Sequence, residues 1–298
     1  MDRPAYLLPP VLTPMTSPPV SFTLPGLTLG CTSFLVYEPY ISAFRYSASV
    51  CRDVSLLLNE PGQDNEFLIT EEEVREIGII AAGEGTGINI HLPSDGNFDT
   101  RENARLFTRR ICQAIKRALP LNPHSWVLHI PVMACSGNGQ MPTDDCNVWT
   151  RECLEEIAAH LPSPDMLCLE NLETFRTDIL NPLLDDTPYS RCMDIGHVWK
   201  DGLDPAPLLR EWYPRIRMFH LHGIVGRDHK SLKLMSGESI DSVMHPLWKL
   251  GFPGAITLEV FTTDDIATSH AILLQSYERY LANNASQPDL RPRGYQKR

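Results

Sequence analysis

The chain has 298 residues, 43% hydrophobic and 21% charged, a globular composition that excludes a disordered or low-complexity scaffold. A core can form at this length without disulfides or a structural metal, so a metal site here would serve chemistry before stability. The net charge of −11 gives no long-range steering toward polyanions, and no run approaches the ~18 consecutive apolar residues that span a bilayer.

Residues 1–26 form a Pro-rich arm, read as extended chain. Asp2, Arg3 and the prolines that follow interrupt any apolar segment of a signal peptide. The eight cysteines include no CxxC pair. Together these features read as a cytoplasmic protein with reduced thiols. Short apolar runs then alternate with longer helical patterns. The runs at 28–36, 53–60, 87–93, 125–132, 165–172, 190–197, 216–223 and 255–261 are rich in Val, Ile, Leu, Met and Phe, as strands covered on both faces should be. Thr70 opens a helix, with Glu73 completing a capping box and Gly83 or Gly85 as its stop. Stretches 100–119, 147–160 and 241–250 are amphipathic, and 284–298 is a polar tail. The alternation predicts a (β/α)8 TIM barrel over residues 27–283. The competing doubly wound sheet would carry a glycine fingerprint after its first strand, and none follows the first run.

The informative residues close these runs. The third run reaches His91, the fourth His129 and the fifth Glu170. The sixth reaches Asp194, with His197 three residues on; the seventh reaches His220, with His222 two on; the eighth reaches Glu259. In a barrel these positions open onto the C-terminal face, where active sites are built. A lone strand histidine is more often a satisfied core residue than a ligand. The carboxylates differ, because LCLENL, CMDIG and TLEVF set Glu170, Asp194 and Glu259 among apolar neighbours, where they need pairing or coordination. Three of them at one barrel mouth would repel, and a divalent cation compensates. An ion-pair network with Lys200, Arg227 and Lys230 is the structural alternative. Mixed imidazole and carboxylate donors suit Zn2+, or alternatively Mn2+ or Fe2+, better than Mg2+ or Ca2+. Cys168 and Cys192, two residues before Glu170 and Asp194, read as filling of the barrel.

HLP at 91–93, LENL at 169–172, DIGH at 194–197, FHLHG at 219–223 and LEV at 258–260 together resemble the xylose-isomerase-like barrel superfamily. That group includes sugar and sugar-phosphate isomerases and the endonuclease IV family of abasic-site nucleases. The resemblance implies two styles of site. The isomerase style holds one or two metals on Glu170, Asp194, His220 and Glu259. The nuclease style adds His91, His129, His197 and an Asp/His pair after strand seven. In GRDHKSL, His229 matches that histidine, but Arg227 stands where the aspartate belongs and Asp228 is adjacent. This leaves the third metal either absent or held by a rearranged set with His222 or Asp228.

GCTSFLV, DVSLLLNE and HLPSD in the first three strands look most like the cobamide-remodelling phosphodiesterases, the CbiR family. That likeness implies a metal-dependent phosphodiesterase that cleaves the nucleotide loop of cobalamin-like corrinoids, for remodelling or salvage. It implies two or three Zn2+ ions: one on His91, His129 and Glu170, one on Glu170, Asp194, His220 and Glu259, and a third on His197 and His229. Glu170, as the bridging carboxylate, and Glu259 carry the catalytic roles. Arg227 and Lys230 would pair with substrate phosphate, or else form a solvated loop. Glu60 reads as a turn residue or a support for a ligand histidine, and Trp199 and the segment 136–145 as shaping substrate access. Three other functions compete. A single-metal sugar isomerase or epimerase would use Glu170 and Glu259 as acid and base, and has no need of the extra histidines. An abasic-site nuclease would need a basic groove, against the net charge. A non-catalytic corrinoid- or metal-binding protein is the last.

Overall fold

A computed structural model describes residues 21–284, apart from 37, 60–67, 95, 97, 99 and 131–143. The chain runs β1 (Thr28–Thr32), α1 (Tyr40–Val50), β2 (Asp53–Leu57), α2 (Glu71–Glu84), β3 (Gly87–His91), α3 (Arg101–Ala118) and β4 (Trp126–Leu128). It continues α4 (Asp144–Ala158), β5 (Leu167–Glu170), α5 (Asn181–Leu184), β6 (Ser190–Asp194), α6 (Ile195–Lys200), α7 (Pro205–Trp212) and β7 (Ile216–Leu221). A short hairpin, β8 (Gly223–Val225) and β9 (Arg227–Lys230), precedes α8 (Gly237–Leu250), β10 (Ala255–Leu258) and α9 (Thr263–Asn284). Parallel strands close in the order β1-β10-β7-β6-β5-β4-β3-β2, which is a (β/α)8 TIM barrel. The antiparallel β8–β9 pair stands outside the closed sheet. It was not expected from the sequence, because Gly223, Gly226 and four polar or charged residues give GIVGRDHK no apolar alternation.

Local chemistry sets the element ends. The Thr70 side chain accepts the Glu73 N–H while the Glu73 carboxylate accepts the Thr70 N–H at 2.8 Å, and Gly85 ends α2 in the left-handed region. Thr100 caps α3 by accepting the Asn103 N–H. The helices bury one stripe each against the outer face of the strands: Ile77, Phe107, Ile111, Ile115 and Ile157 lie in one core with Val54, Leu56, Ile90 and Trp126. Each such side chain contributes roughly 1.5–3 kcal/mol by leaving water.

Inside the barrel, Val127, Cys168, Cys192 and Met218 form a separate buried group. Burial pushes the Cys168 thiol up to about 12 and the Cys192 thiol well above its usual value, so both stay protonated and serve as filling. Cys31, Cys51, Cys112 and Cys153 are also free and buried. Cys146 departs from the expectation of reduced thiols, since it is disulfide-bonded.

The N-terminal end of the barrel is closed by polar bonds. Asp53 accepts from Asn89 Nδ2 at 2.6 Å and pairs with His124 Nε2 at 2.7 Å. A Cβ at Gly87 would stand 2.5 Å from Asp53 Oδ2, so only glycine lets that carboxylate in. The end of the Pro-rich stretch packs here as well. Phe22 N–H donates to the Val50 carbonyl, Trp248 Nε1 donates to the Pro25 carbonyl, and Leu24 and Leu27 are buried. The remainder of the arm, through residue 20, and the tail from 285 lie outside the described residues. Among the described residues, no helix is long and apolar enough to cross a membrane.

Candidate metal centre

Strand alternation delivers the site. Glu170, Asp194 and His91 are the last residues of their strands, His220 is the last but one of β7, and Glu259 follows β10 directly. Asp194 stands in register with His220, and Glu170 with Cys192, two residues before Asp194. Their side chains meet around Glu170. Its Oε2 lies 3.0 Å from His129 Nε2 and 3.5 Å from His91 Nε2, and its Oε1 lies 2.9 Å from His220 Nδ1. His220 Nδ1 is also 3.3 Å from Glu259 Oε2 and 3.9 Å from Asp194 Oδ2.

Six overlapping groupings among the described residues offer donor atoms within 4.8 Å of one another, and three of them together take in the strand-end candidates: His91, His129 and Glu170; Glu170, Asp194, His220 and Glu259; and His197, His222 and His229. The first two share Glu170. The third adjoins the second through Asp194, whose Oδ1 lies 3.3 Å from His222 Nε2 and whose Oδ2 lies 3.6 Å from His197 Nδ1.

Backbone acceptors fix the ring orientations. His91 Nδ1–H donates to the Leu92 carbonyl at 3.0 Å, His197 Nδ1–H to Asn171 at 2.9 Å, and His229 Nδ1–H to Glu259 at 3.1 Å. Each bond leaves Nε2 as the free donor atom, the usual arrangement of a ligating histidine. Asp194 is held twice: its backbone N–H and C=O bond the Asn171 side chain at 2.9 and 2.8 Å, and its Oδ1 accepts the His197 N–H at 2.7 Å, capping α6. Gly196 is there because a Cβ at that position would lie 2.1 Å from His222 Cε1.

The electrostatics favour a cation. Burial opposes charge on His129, His197, His220 and His222, yet their neighbours outweigh it and raise all four, His197 to about 9: carboxylates for His129, His197 and His222, and Cys192 ahead of Glu170 and Glu259 for His220. Burial likewise opposes charge on Glu170 and Glu259, and the facing imidazoles hold both below the ordinary carboxylate range. Asp194 Oδ2, Glu259 Oε2, His220 Nε2 and His222 Nε2 are buried and make no hydrogen bond. Buried carboxylate oxygens lacking donors, with imidazole nitrogens beside them, fit divalent transition metals.

The hairpin after β7 brings His229 over the site. Gly226 and His229 both adopt positive φ, 70° and 52°, and the His229 N–H donates to His222 Nδ1 at 3.1 Å. Asp228 turns instead to Lys200, which also binds Glu173 at 2.9 Å. Lys200 thus pairs at the rim, and the buried carboxylates are not neutralised by the lysine–arginine network that was the structural alternative. Arg227 is exposed, Lys230 is half-buried, and neither is among the residues lining the cleft over the metal groupings.

That cleft has a volume of about 430 Å3 and is bounded by His91, His129, Glu170, Glu173, His197 and His229, among others. Trp199 does not shape it, contrary to expectation: it is buried in the core with Leu209 and Trp212, because it sits on the inner face of α6. Glu60 and most of 136–145 lie outside the described residues. Two residues were missed. Asn171 orients Asp194 and His197, and Glu173 lies 3.3 Å from His197 Nε2. Both follow Glu170 in LENLE, and the signal was a run of polar side chains just beyond a strand end.

The sequence model of the xylose isomerase-like TIM barrel matches residues 52–280. The chain belongs to this family. A D-tagatose 3-epimerase-like protein is similar in structure, with a TM-score of 0.69 at 20% identity, covering 86% of this chain and 99% of that one. D-allulose 3-epimerase from Methylomonas sp. gives 0.63 at 11% identity, covering 87% and 98%. An AP endonuclease, family 2, from Brucella melitensis gives 0.57 at 14% identity, covering 88% and 100%. At these identities the likeness shows the fold. A search of curated protein sequences finds no significant match.

Proposed function

We propose that the protein is a metal-dependent phosphodiesterase, and that its substrate is the nucleotide-loop phosphodiester of a cobalamin-like corrinoid. One observation carries the hydrolase reading: three groupings of potential ligands lie side by side, joined by Glu170 and Asp194. Adjacent divalent ions supply Lewis acidity and activate water at neutral pH, which suits a reaction as slow as phosphoester cleavage. His91, His129 and Glu170 would hold one ion. Glu170, Asp194, His220 and Glu259 would hold a second. His197 and His229, with His222 behind them, would hold a third. In the reaction, water adds to phosphorus, the ester P–O bond breaks, and the alcohol leaves with a proton. Within this set Glu170 would serve two positions, and Glu259 faces both His220 and His229. The corrinoid rests on the sequence resemblance of the first three strands.

A second reading is a single-metal sugar epimerase. The named epimerase structures favour it, and Glu170, Asp194, His220 and Glu259 alone would serve it. Metal analysis of the purified protein, with incubation against a complete cobamide and against ketohexoses, separates the two. Two or more zinc-class ions per chain and release of the lower-ligand riboside are expected. One ion, an inert cobamide and ketose epimerisation would establish the epimerase.

A further inference from the structure

A second groove opens beside the metal cleft. It has a volume of about 610 Å3 and lies between the loop after β5 and helices α6 and α7. Thr174 and Phe175 line both spaces, so the two share a wall. That wall is held under strain. Thr174 is β-branched yet sits at φ 66°, an outlier for such a residue. Its N–H is clamped by both oxygens of Asp201, at 2.9 and 3.0 Å. This conformation presents Phe175 between the two spaces.

The lining of the groove says what it takes. Phe175, Leu203 and Leu208 give it apolar surface, and Leu203 is 44% exposed among the described residues. Its charged residues are Asp178, Asp201 and Glu211 against Arg176 alone, and Arg176 is spent on a two-bonded pair with Asp178 at 2.9 and 2.8 Å. A group carrying further phosphates would be repelled here.

Resting on the phosphodiesterase reading, we infer that this groove is the subsite for one alcohol portion of the diester: a bulky, uncharged, hydroxyl-bearing group of nucleoside size. The phosphate occupies the metal cleft. The groove selects a diester with a single negative charge and rejects polynucleotides.

The test compares methyl 4-nitrophenyl phosphate, thymidine 5′-(4-nitrophenyl) phosphate and an oligonucleotide duplex with an abasic site, using metal-loaded protein. The nucleoside ester is expected to show a KM at least tenfold below that of the methyl ester, and the duplex no cleavage. Leu203→Glu should raise KM for the nucleoside ester tenfold or more, with kcat and the methyl ester unaffected. Glu211→Lys, an exposed change, should lower KM for a nucleoside ester bearing an extra 3′-phosphate. Equal KM values for the two esters, or a Leu203→Glu protein unchanged on both, would overturn the subsite while leaving the hydrolase standing. Efficient cleavage of the duplex would overturn the selectivity. Failure to cleave any of the three would overturn the subsite, and the cobamide incubation then decides the hydrolase reading separately.

Discussion

Glu170 is the side chain on which the site turns, since imidazoles approach both of its oxygens. If each grouping holds an ion, the loss of His129 and the loss of Glu259 should both be severe but should empty different positions. His129→Ala is expected to lower metal content by about one ion per chain and phosphodiester turnover by about 100-fold or more, as an incomplete set fails to keep its ion. Glu259→Ala should be equally damaging. Elemental analysis beside kinetics checks this, and a His129→Ala protein with full metal content and normal turnover would remove the first grouping from the mechanism. Gly196 makes a separate point about close approach. Gly196→Ala would drive a methyl group into the His222 ring, and overpacking of this kind costs about 1–3 kcal/mol, measurable by urea unfolding. These strand-end ligand candidates were legible because carboxylates among apolar residues stand out. Asn171 and Glu173 were not, because polar residues beyond a strand end look like any loop.

At the level of elements, the joint between α8 and α9 shows how surface charge pins the outer ring. Asp241 accepts from Arg279 Nε at 2.7 Å, Arg279 Nη2 at 2.8 Å and Ser276 Oγ at 2.5 Å. Partial burial pushes the Asp241 carboxyl up, but the Arg279 and Ser276 bonds outweigh it and hold the carboxyl below its ordinary value. A depressed carboxyl stabilises the fold fully above its unfolded pKa, about 3.9, and loses that contribution as pH falls toward the lower folded value. Asp241→Asn should therefore cost about 1 kcal/mol at neutral pH. The gap from wild type should narrow as pH falls below 4; urea titrations at several pH values test it. A gap that widens as pH falls below 4 would contradict the assignment. The α2 capping box was readable from Thr70 and Glu73, whose reciprocal bonds are local. The β8–β9 hairpin was not, since GIVGRDHK has no apolar alternation and His229, inside β9, takes a positive φ that a histidine does not signal.

For the whole molecule, the apolar packing extends far beyond the metal groupings and meets them where Cys192 of the barrel filling lies beside Glu170 and His220. The two large cores contain no ligand candidate, and the barrel filling is Val127, Cys168, Cys192 and Met218. Chelation should accordingly abolish activity while leaving the far-UV circular dichroism unchanged, with the melting temperature lowered by several degrees as bound-ion stabilisation is withdrawn. Collapse of the spectrum on chelation would mean that the ions hold the barrel together. The alternation of apolar runs and helical patterns made the barrel legible, because strands covered on both faces must be apolar throughout. Which strand end met which was a matter of register, and register is fixed by pairings as distant as Thr28 with Ala255.

That last pairing bears on how the protein is made. β1 and β7 meet β10 on its two sides. Until residues 255–258 have left the ribosome, the nascent sheet carries two open edges, each a template for pairing with another chain. Glu259 follows immediately, its N–H donating to the Leu221 carbonyl, and Thr32 Oγ1 then donates to the Val260 carbonyl across the seam. Closing the sheet and delivering the last carboxylate are therefore one event. A polypeptide that stops before residue 255 would have exposed edges and an incomplete set of ligand candidates together.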